Sequence, residues 1–265
     1  MYKRQVLDAD QSLRAQNKII SIFSEADFYK KKKFKKWLDS QSNQYWLGLD
    51  NDIIFQQGQM FIDKFRGNPL IMIYNREDAD ATEVSIMSQN SRGLFVKLTG
   101  AVSSMGINIV NAKIFTNSSN IAIDVIWIQD KDNKPILDGA RLDRIKEKIL
   151  NYIQSDIKIE KPAEPRISNK RINAFTVPVS VKIMNNISSD YTVIEVSGKD
   201  RPSILYGLAK TINLLNLNLY RAQVATFGER VVDVFYVLDS ENKKIHQHNS
   251  KKSIEKRLLK VLNNG

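Results

Sequence analysis

The chain has 265 residues, 42% hydrophobic and 26% charged, with a formal net charge of +11, no cysteine and two histidines. That length allows two ordinary domains with sizeable cores, and the composition is globular rather than disordered. Disulfides, thiolate metal sites and thiol nucleophiles are excluded, and no apolar run approaches the roughly 20 residues that span a bilayer, so no membrane, metal or cofactor is expected.

The opening MYKRQVLDAD has no hydrophobic signal core, which points to the cytoplasm. Residues 1–67 read as a helical leader. Within it KKKKFKK (Lys30 to Lys36) is densely basic, but Phe34, Trp37 and Leu38 form an apolar stripe one helical turn apart. This predicts a helix with its lysines on a solvated face, and no nucleic-acid partner is expected from the charge alone. The histidines, His246 and His248, fall in the polar stretch HQHNS and read as solvated loop.

Beyond the leader, Thr82 to Thr116 lies over Thr192 to Thr226 without a gap at an offset of 110, and IDVIWIQD (123–130) then matches VDVFYVLD (232–239). Such a period means duplicated domains rather than a solenoid. Val84 and Ile86, or Ile194 and Val196, alternate as a first strand. Leu94, Phe95, Leu98, Val102 and Met105, or Ile204, Leu205, Leu208, Ile212 and Leu215, form one helical stripe. Asn90 or Asp200 is the predicted N-cap, Pro202 suits the first helical turn, and Gly106 or Asn216 suits a left-handed C-cap. Two strands and a second amphipathic helix (142–153 or 254–262) complete each copy.

The order is the ferredoxin-like β-α-β-β-α-β plan without its closing strand, which makes the fold class α+β. PLIMIYN (69–75) and PVSVKIMN (178–185) are candidate fourth strands, and the second could close the first sheet or open its own. The third strand is apolar on both faces, so the two copies packing together, or a homodimer, should cover the face the helices leave bare. Asp124 and Asp233 interrupt that second face at equivalent positions and read as hydrogen-bonded structural aspartates.

The turn VSGKDRPSILYGLA (196–209) has one glycine, too few for a dinucleotide loop or a P-loop. RNA recognition uses the same strand order, but the third strands hold too few aromatics for a stacking platform, so an RNA-binding module is the lesser alternative. The stretches TVIEVSGKDRPSIL and ATFGERVVDVFYVLD closely resemble the C-terminal ACT domain of bacterial PII uridylyltransferase/uridylyl-removing enzymes. SRGLFVKLTGAVSSMGINIVNAKIFT resembles the preceding ACT domain, and YWLGLD (45–50) the linker ahead of it. The resemblance implies two tandem ACT domains, at 68–156 (core 82–153) and 177–265 (core 191–263), joined by a linker at 157–176.

It further implies a regulatory module that senses an amino acid, glutamine above all, at the turn before the first helix. Carried over by position, the second copy's candidates are Asp200, Arg201, Pro202, Ser203, Ile204 and Leu205 with Asn218 opposite. The first copy's are Asn90, Ser91, Arg92, Gly93, Leu94 and Phe95 with Asn108 opposite. Ser203 replaces the glycine of the family's DRPG, and a side chain there could cost about 1–2 kcal/mol, or about tenfold in affinity. The first copy keeps Gly93 and is the better candidate for binding. The Gly-Ser turn and Asp-x-Asp pair of the nucleotidyltransferase are missing, since no Gly-Ser dipeptide occurs and DAD, DND and DKD read as turn or cap chemistry. Two histidines cannot build the hydrolase's metal cluster. No catalysis is expected from these residues; a separate catalytic chain, the PII protein, and ACT–ACT pairing within the chain or in a homodimer are the expected partners. The alternative is a structural or dimerisation fragment that binds no ligand.

Overall fold

The computed structural model describes residues 2–26, 32–74, 80–155 and 177–263; the expected linker at 157–176 lies outside them. Four helices come first: α1 (Tyr2–Phe23), α2 (Lys32–Ser40), α3 (Asn43–Gly48) and α4 (Asn51–Asp63). The first copy follows as β1 (Leu70–Tyr74), β2 (Thr82–Gln89), α5 (Leu94–Ser104), β3 (Asn108–Thr116), β4 (Ile121–Gln129) and α6 (Gly139–Gln154). The second is β5 (Ser180–Met184), β6 (Thr192–Lys199), α7 (Ile204–Leu214), β7 (Asn218–Phe227), β8 (Arg230–Leu238) and α8 (His248–Asn263).

The strands form one antiparallel sheet in the order β1-β2-β4-β3-β7-β8-β6-β5. Its halves mirror one another, as the 110-residue repeat requires. The strand at 178–185 opens its own sheet: Val181 of β5 stands opposite Val196 of β6, as Ile71 of β1 stands opposite Ile86 of β2. The fourth strand of each ferredoxin-like unit therefore precedes the unit instead of following its second helix. The outer position asks only for an antiparallel neighbour, which a preceding strand supplies through a short connection.

The halves meet where β3 pairs with β7, from Asn111 opposite Ala225 to Phe115 opposite Arg221. This pairing removes two exposed strand edges. Helices α5 to α8 share one face of the continuous sheet, and one core runs through both halves, including Ile86, Leu98 and Ile126 of the first copy and Ile194, Leu208 and Phe235 of the second. Gly106 (φ 66°) and Asn216 (φ 57°) take the left-handed conformation after α5 and α7, as their residue types suggest. The DKD aspartate is turn chemistry: Asp130 Oδ1 accepts the N–H groups of Asp132 (2.9 Å) and Lys134 (3.0 Å), and Asp239 does the same for Glu241 and Lys243 (2.9 Å each).

The copies thus join edge to edge, and the expectation that they cover each other's second apolar face is corrected. In the first half that face is covered by the leader. Met87, Phe115, Ile123 and Val125 of the sheet pack with Phe23, Phe34, Trp37, Tyr45 and Ile54. Trp37 is 5.3 Å from the Phe34 ring and 5.8 Å from that of Phe61. A buried polar chain fixes the docking: Tyr45 Oη donates to Gln57 Oε1 (2.6 Å), and Gln57 Nε2 donates to Ser85 Oγ (3.2 Å). The basic run is not wholly solvated either. Lys33 Nζ donates to the carbonyls of Phe61 and Phe65 (3.0 Å each) at the end of α4, where a cation meets the negative pole of the helix. In the second half the corresponding face is only half-buried at Val232, Val234 and Tyr236, with the Arg221 guanidinium 4.8 Å from the Tyr236 ring centre.

Replacing Tyr45 by Phe keeps the ring and strands Gln57 Oε1 without a donor. Equilibrium urea unfolding should show a loss of about 1–3 kcal/mol; an unchanged midpoint would mean that the polar chain does not hold the leader to the sheet.

Candidate functional site

In each copy the chain leaves the sheet at Asn90 or Asp200 and turns into a helix that begins at Leu94 or Ile204. The residues at the helix start are Gly93 (φ 80°) and Ser203 (φ 64°), both left-handed, and neither helix has a side-chain cap. Asn90 and Asp200 are therefore not the N-caps that their residue types suggest. Asn90 Nδ2 donates to Asn120 Oδ1 (3.1 Å) across the loop. Burial pushes the Asp200 carboxyl up, opposed by hydrogen bonds from the Arg201 backbone and the Asn108 side chain. Pro202 precedes the helix rather than lying in its first turn. An uncapped helix start leaves backbone N–H donors and the positive end of the dipole for an anionic group.

At the first copy's turn this helix start faces a cavity of about 250 Å³. Asn90, Ser91, Arg92, Gly93, Leu94 and Phe95 all line it, with Ile114, Ala122 and Asp124 on the sheet side. The facing wall comes from the other copy and includes Asn213, Leu217, Asn218, Leu219 and Tyr220. The Arg92 guanidinium reaches across to the Asn213 carbonyl (3.4 Å) and to Asn216 Oδ1. The asparagines expected opposite each turn have exchanged places: Asn218 stands at the first turn and Asn108 at the second. Pairing of β3 with β7 sets the start of each of these strands beside the helix turn of the other copy, which position-by-position transfer within one copy could not reveal.

The second site is nearly filled. Asp200, Ser203, Ile204, Leu205 and Asn108 surround only about 20 Å³, space for about one water molecule. The Ser203 hydroxyl is hydrogen-bonded to that of Ser103 on α5. Arg201 is turned away, its guanidinium donating to the Val261 carbonyl. At the equivalent place in the first site a bare Gly93 faces Asn213; a Cβ there would come no nearer than 3.6 Å to the Asn213 side chain but would carry the left-handed φ. Gly93 against Ser203 is one of the differences between the open site and the closed one.

Asp124 and Asp233 occupy matching positions on β4 and β8, 2% and 0% exposed, on the sheet face beneath the helices. Asp124 lines the first cavity and Asp233 the second. Asp124 Oδ1 has no hydrogen-bond partner, and Phe115 supplies a backbone hydrogen bond to the carboxyl. Burial pushes both carboxyls up to about 8. The sequence marked these residues as interruptions of an apolar face; it did not place them at the sites. Among the described residues no group of three or more His, Cys, Asp or Glu is placed to hold a metal, and no helix is long and apolar enough to cross a membrane.

Two ferredoxin-like units are joined edge to edge, each with an uncapped helix turn facing its neighbour. The family model described as "ACT domain-containing protein ACR9, C-terminal" matches residues 191–264. The bifunctional uridylyltransferase/uridylyl-removing enzyme of Azospirillum brasilense is 33% identical over 266 aligned positions, covering 98% of this chain and 27% of its own length. Those of Rhodopseudomonas palustris and Ruegeria pomeroyi are 34% and 35% identical over 88% and 71% of this chain, and 26% and 21% of their own. Residues 191–264 thus match an ACT-domain family model, and the chain resembles part of these enzymes. It spans about a quarter of their length. Among solved structures, aspartate kinase from Synechocystis covers 70% of this chain and 27% of its own at 14% identity and a TM-score of 0.39.

The buried aspartates set a pH dependence. Both folded carboxyls bind protons more tightly than unfolded ones, whose pKa lies near 4, so between about pH 4 and 8 the native state holds protons that the unfolded chain has released. Their contribution to stability is full below about pH 4 and falls as pH rises toward 8. Replacing Asp124 by Asn should flatten the decline between pH 5 and 7 by about 1.4 kcal/mol per pH unit in urea titrations. An identical pH profile in the variant would show that Asp124 is ionised in the free protein.

Proposed function

We propose that the chain is a regulatory amino-acid sensor, with glutamine as its ligand, that acts through the first cavity alone. The observation that carries this reading is the open space between an uncapped helix turn of one ACT unit and the wall of the other, set against its plugged twin. About 250 Å³ lies just below the roughly 300–1,000 Å³ of sites for drug-sized ligands, which suits a single amino acid. The helix start offers N–H groups to an α-carboxylate, and the lining combines apolar groups (Phe95, Ile114, Leu217) with polar ones (Asn90, Asn218). Because both copies line the cavity, occupancy would tighten the junction between them. A catalytic segment of the uridylyltransferase type, in the same or a separate chain, would be the element controlled, and the PII protein its target. The module itself supplies no chemistry in this scheme: its 265 residues hold no Gly-Ser turn and only two histidines.

The test is thermal melting with each of the twenty amino acids, followed by calorimetric titration. An amino acid at a hundred times its Kd should add about 2.7 kcal/mol of stability, with one molecule bound per chain. If none shifts the melt at several millimolar, the module is a structural pairing unit and the sensor reading fails. Ser203→Gly should raise the stoichiometry from one to two by removing the hydroxyl that fills the second site. Gly93→Ser should weaken binding at the first site about tenfold or more, since the new side chain enters the cavity on a strained left-handed residue. A wild-type stoichiometry in Ser203→Gly would show that Ser203 is not what closes the second site.

A further inference from the structure

We infer that Asp124 receives the α-ammonium group of the bound amino acid, so that the first cavity selects free amino acids and rejects analogues that lack the α-amine. This rests on the reading that the cavity holds an amino acid and adds the group that defines that class of ligand. Asp124 projects from β4 on the same face as Ile126 and Ile128, beneath the helix layer, and lines the cavity whose turn side is the start of α5. A zwitterion has two poles, and the site has two matching ones: helix N–H groups at one side, a carboxyl at the other.

This carboxyl has space beside it for a ligand, unlike Asp233, whose Oδ1 and Oδ2 are also without partners. Asp124 is buried, yet its Oδ1 has no donor, and an acceptor left bare in a protein interior normally has a partner. Among the described residues no cation supplies one. The other titratable side chains of the cavity are Arg92 and Tyr220, and the Arg92 guanidinium is exposed and held by the Asn213 carbonyl and Asn216 Oδ1 of the neighbouring copy. Elements next to Asp124 bring only Ile86 of β2 and Ile114 of β3 opposite it. The free site therefore keeps the carboxyl protonated near neutrality, and an arriving ammonium group displaces that proton to solvent as it forms the ion pair. Asp233, the twin, has no comparable space beside it, and the bonded Ser203 and Ser103 lie in the wall of its site.

The experiment titrates the intact chain with two matched pairs, L-glutamine against glutaramic acid and L-leucine against 4-methylpentanoic acid, in two pH 7 buffers of different ionisation enthalpy. For whichever amino acid binds, the des-amino partner should be about ten- to a hundredfold weaker. Binding of the amino acid should also release about one proton, as a carboxyl with a pKa near 8 ionises. Asp124→Asn keeps the shape and should abolish both the discrimination and the proton release. Equal affinity within a pair, or no proton released, overturns the role of Asp124 and leaves the sensor reading standing. Failure of both amino acids to bind overturns this inference, and the twenty-amino-acid melt then decides separately whether the sensor reading survives. If the Asn variant does not fold, the matched pairs and the proton count on the unmodified protein still decide.

Discussion

Everything at the candidate site depends on one backbone pairing, that of β3 with β7. Main-chain hydrogen bonds from Asn111 opposite Ala225 to Phe115 opposite Arg221 turn two four-stranded sheets into one eight-stranded sheet. They also bring the starts of β3 and β7 against the helix turns of the opposite copies. Neither turn has a complete wall without this arrangement: Asn213, Asn218 and Tyr220 come to the first site from the second copy, and Asn108 and Ser103 to the second site from the first. Helix-to-helix packing of α5 on α7 reinforces the junction, with α5 residues such as Phe95 and Leu98 and α7 residues such as Leu205 and Leu208 in one core.

The junction's pseudo-symmetry makes the difference between the sites interpretable. Gly93 and Ser203 share a left-handed backbone, a conformation that a residue with a Cβ adopts at a cost of about 1–2 kcal/mol. The geometry of the turn thus persists at position 203 although the residue suited to it is gone. The Ser103 hydroxyl bonded to Ser203 offsets part of that cost and fills the site at the same time. The two halves also differ on their outer face. The leader, pinned by Tyr45, Gln57 and Ser85, closes the first half, whereas Val232, Val234 and Tyr236 of the second half stay half-buried.

Much of this architecture was legible because the sequence states it twice. The strand and helix order, the left-handed residues at Gly106 and Asn216, and the Asp130 turn follow from local patterns. What depends on distant contacts was not legible. A short apolar strand such as 180–184 carries no signal for which sheet it joins. A lysine-rich helix shows its stripe, but not that Lys33 will cap α4. Asn108 and Asn218 were assigned to their own copies because nothing local records that the copies cross over. Asp124 reads as a structural aspartate from its neighbours on the strand; only the cavity beside it and its bare Oδ1 give it a second meaning.

The central claim is that one ligand cavity, built by both copies, is open at the first turn while its twin is shut. Methyl-labelled NMR during titration with L-glutamine tests it most directly. The methyl signals of Leu94 and Ile114 from the first copy and of Leu217 and Leu219 from the second should shift together, while those of Ile204, Leu205 and Ile109 at the second turn stay in place. Shifts confined to one copy, or centred on the second turn, would contradict it.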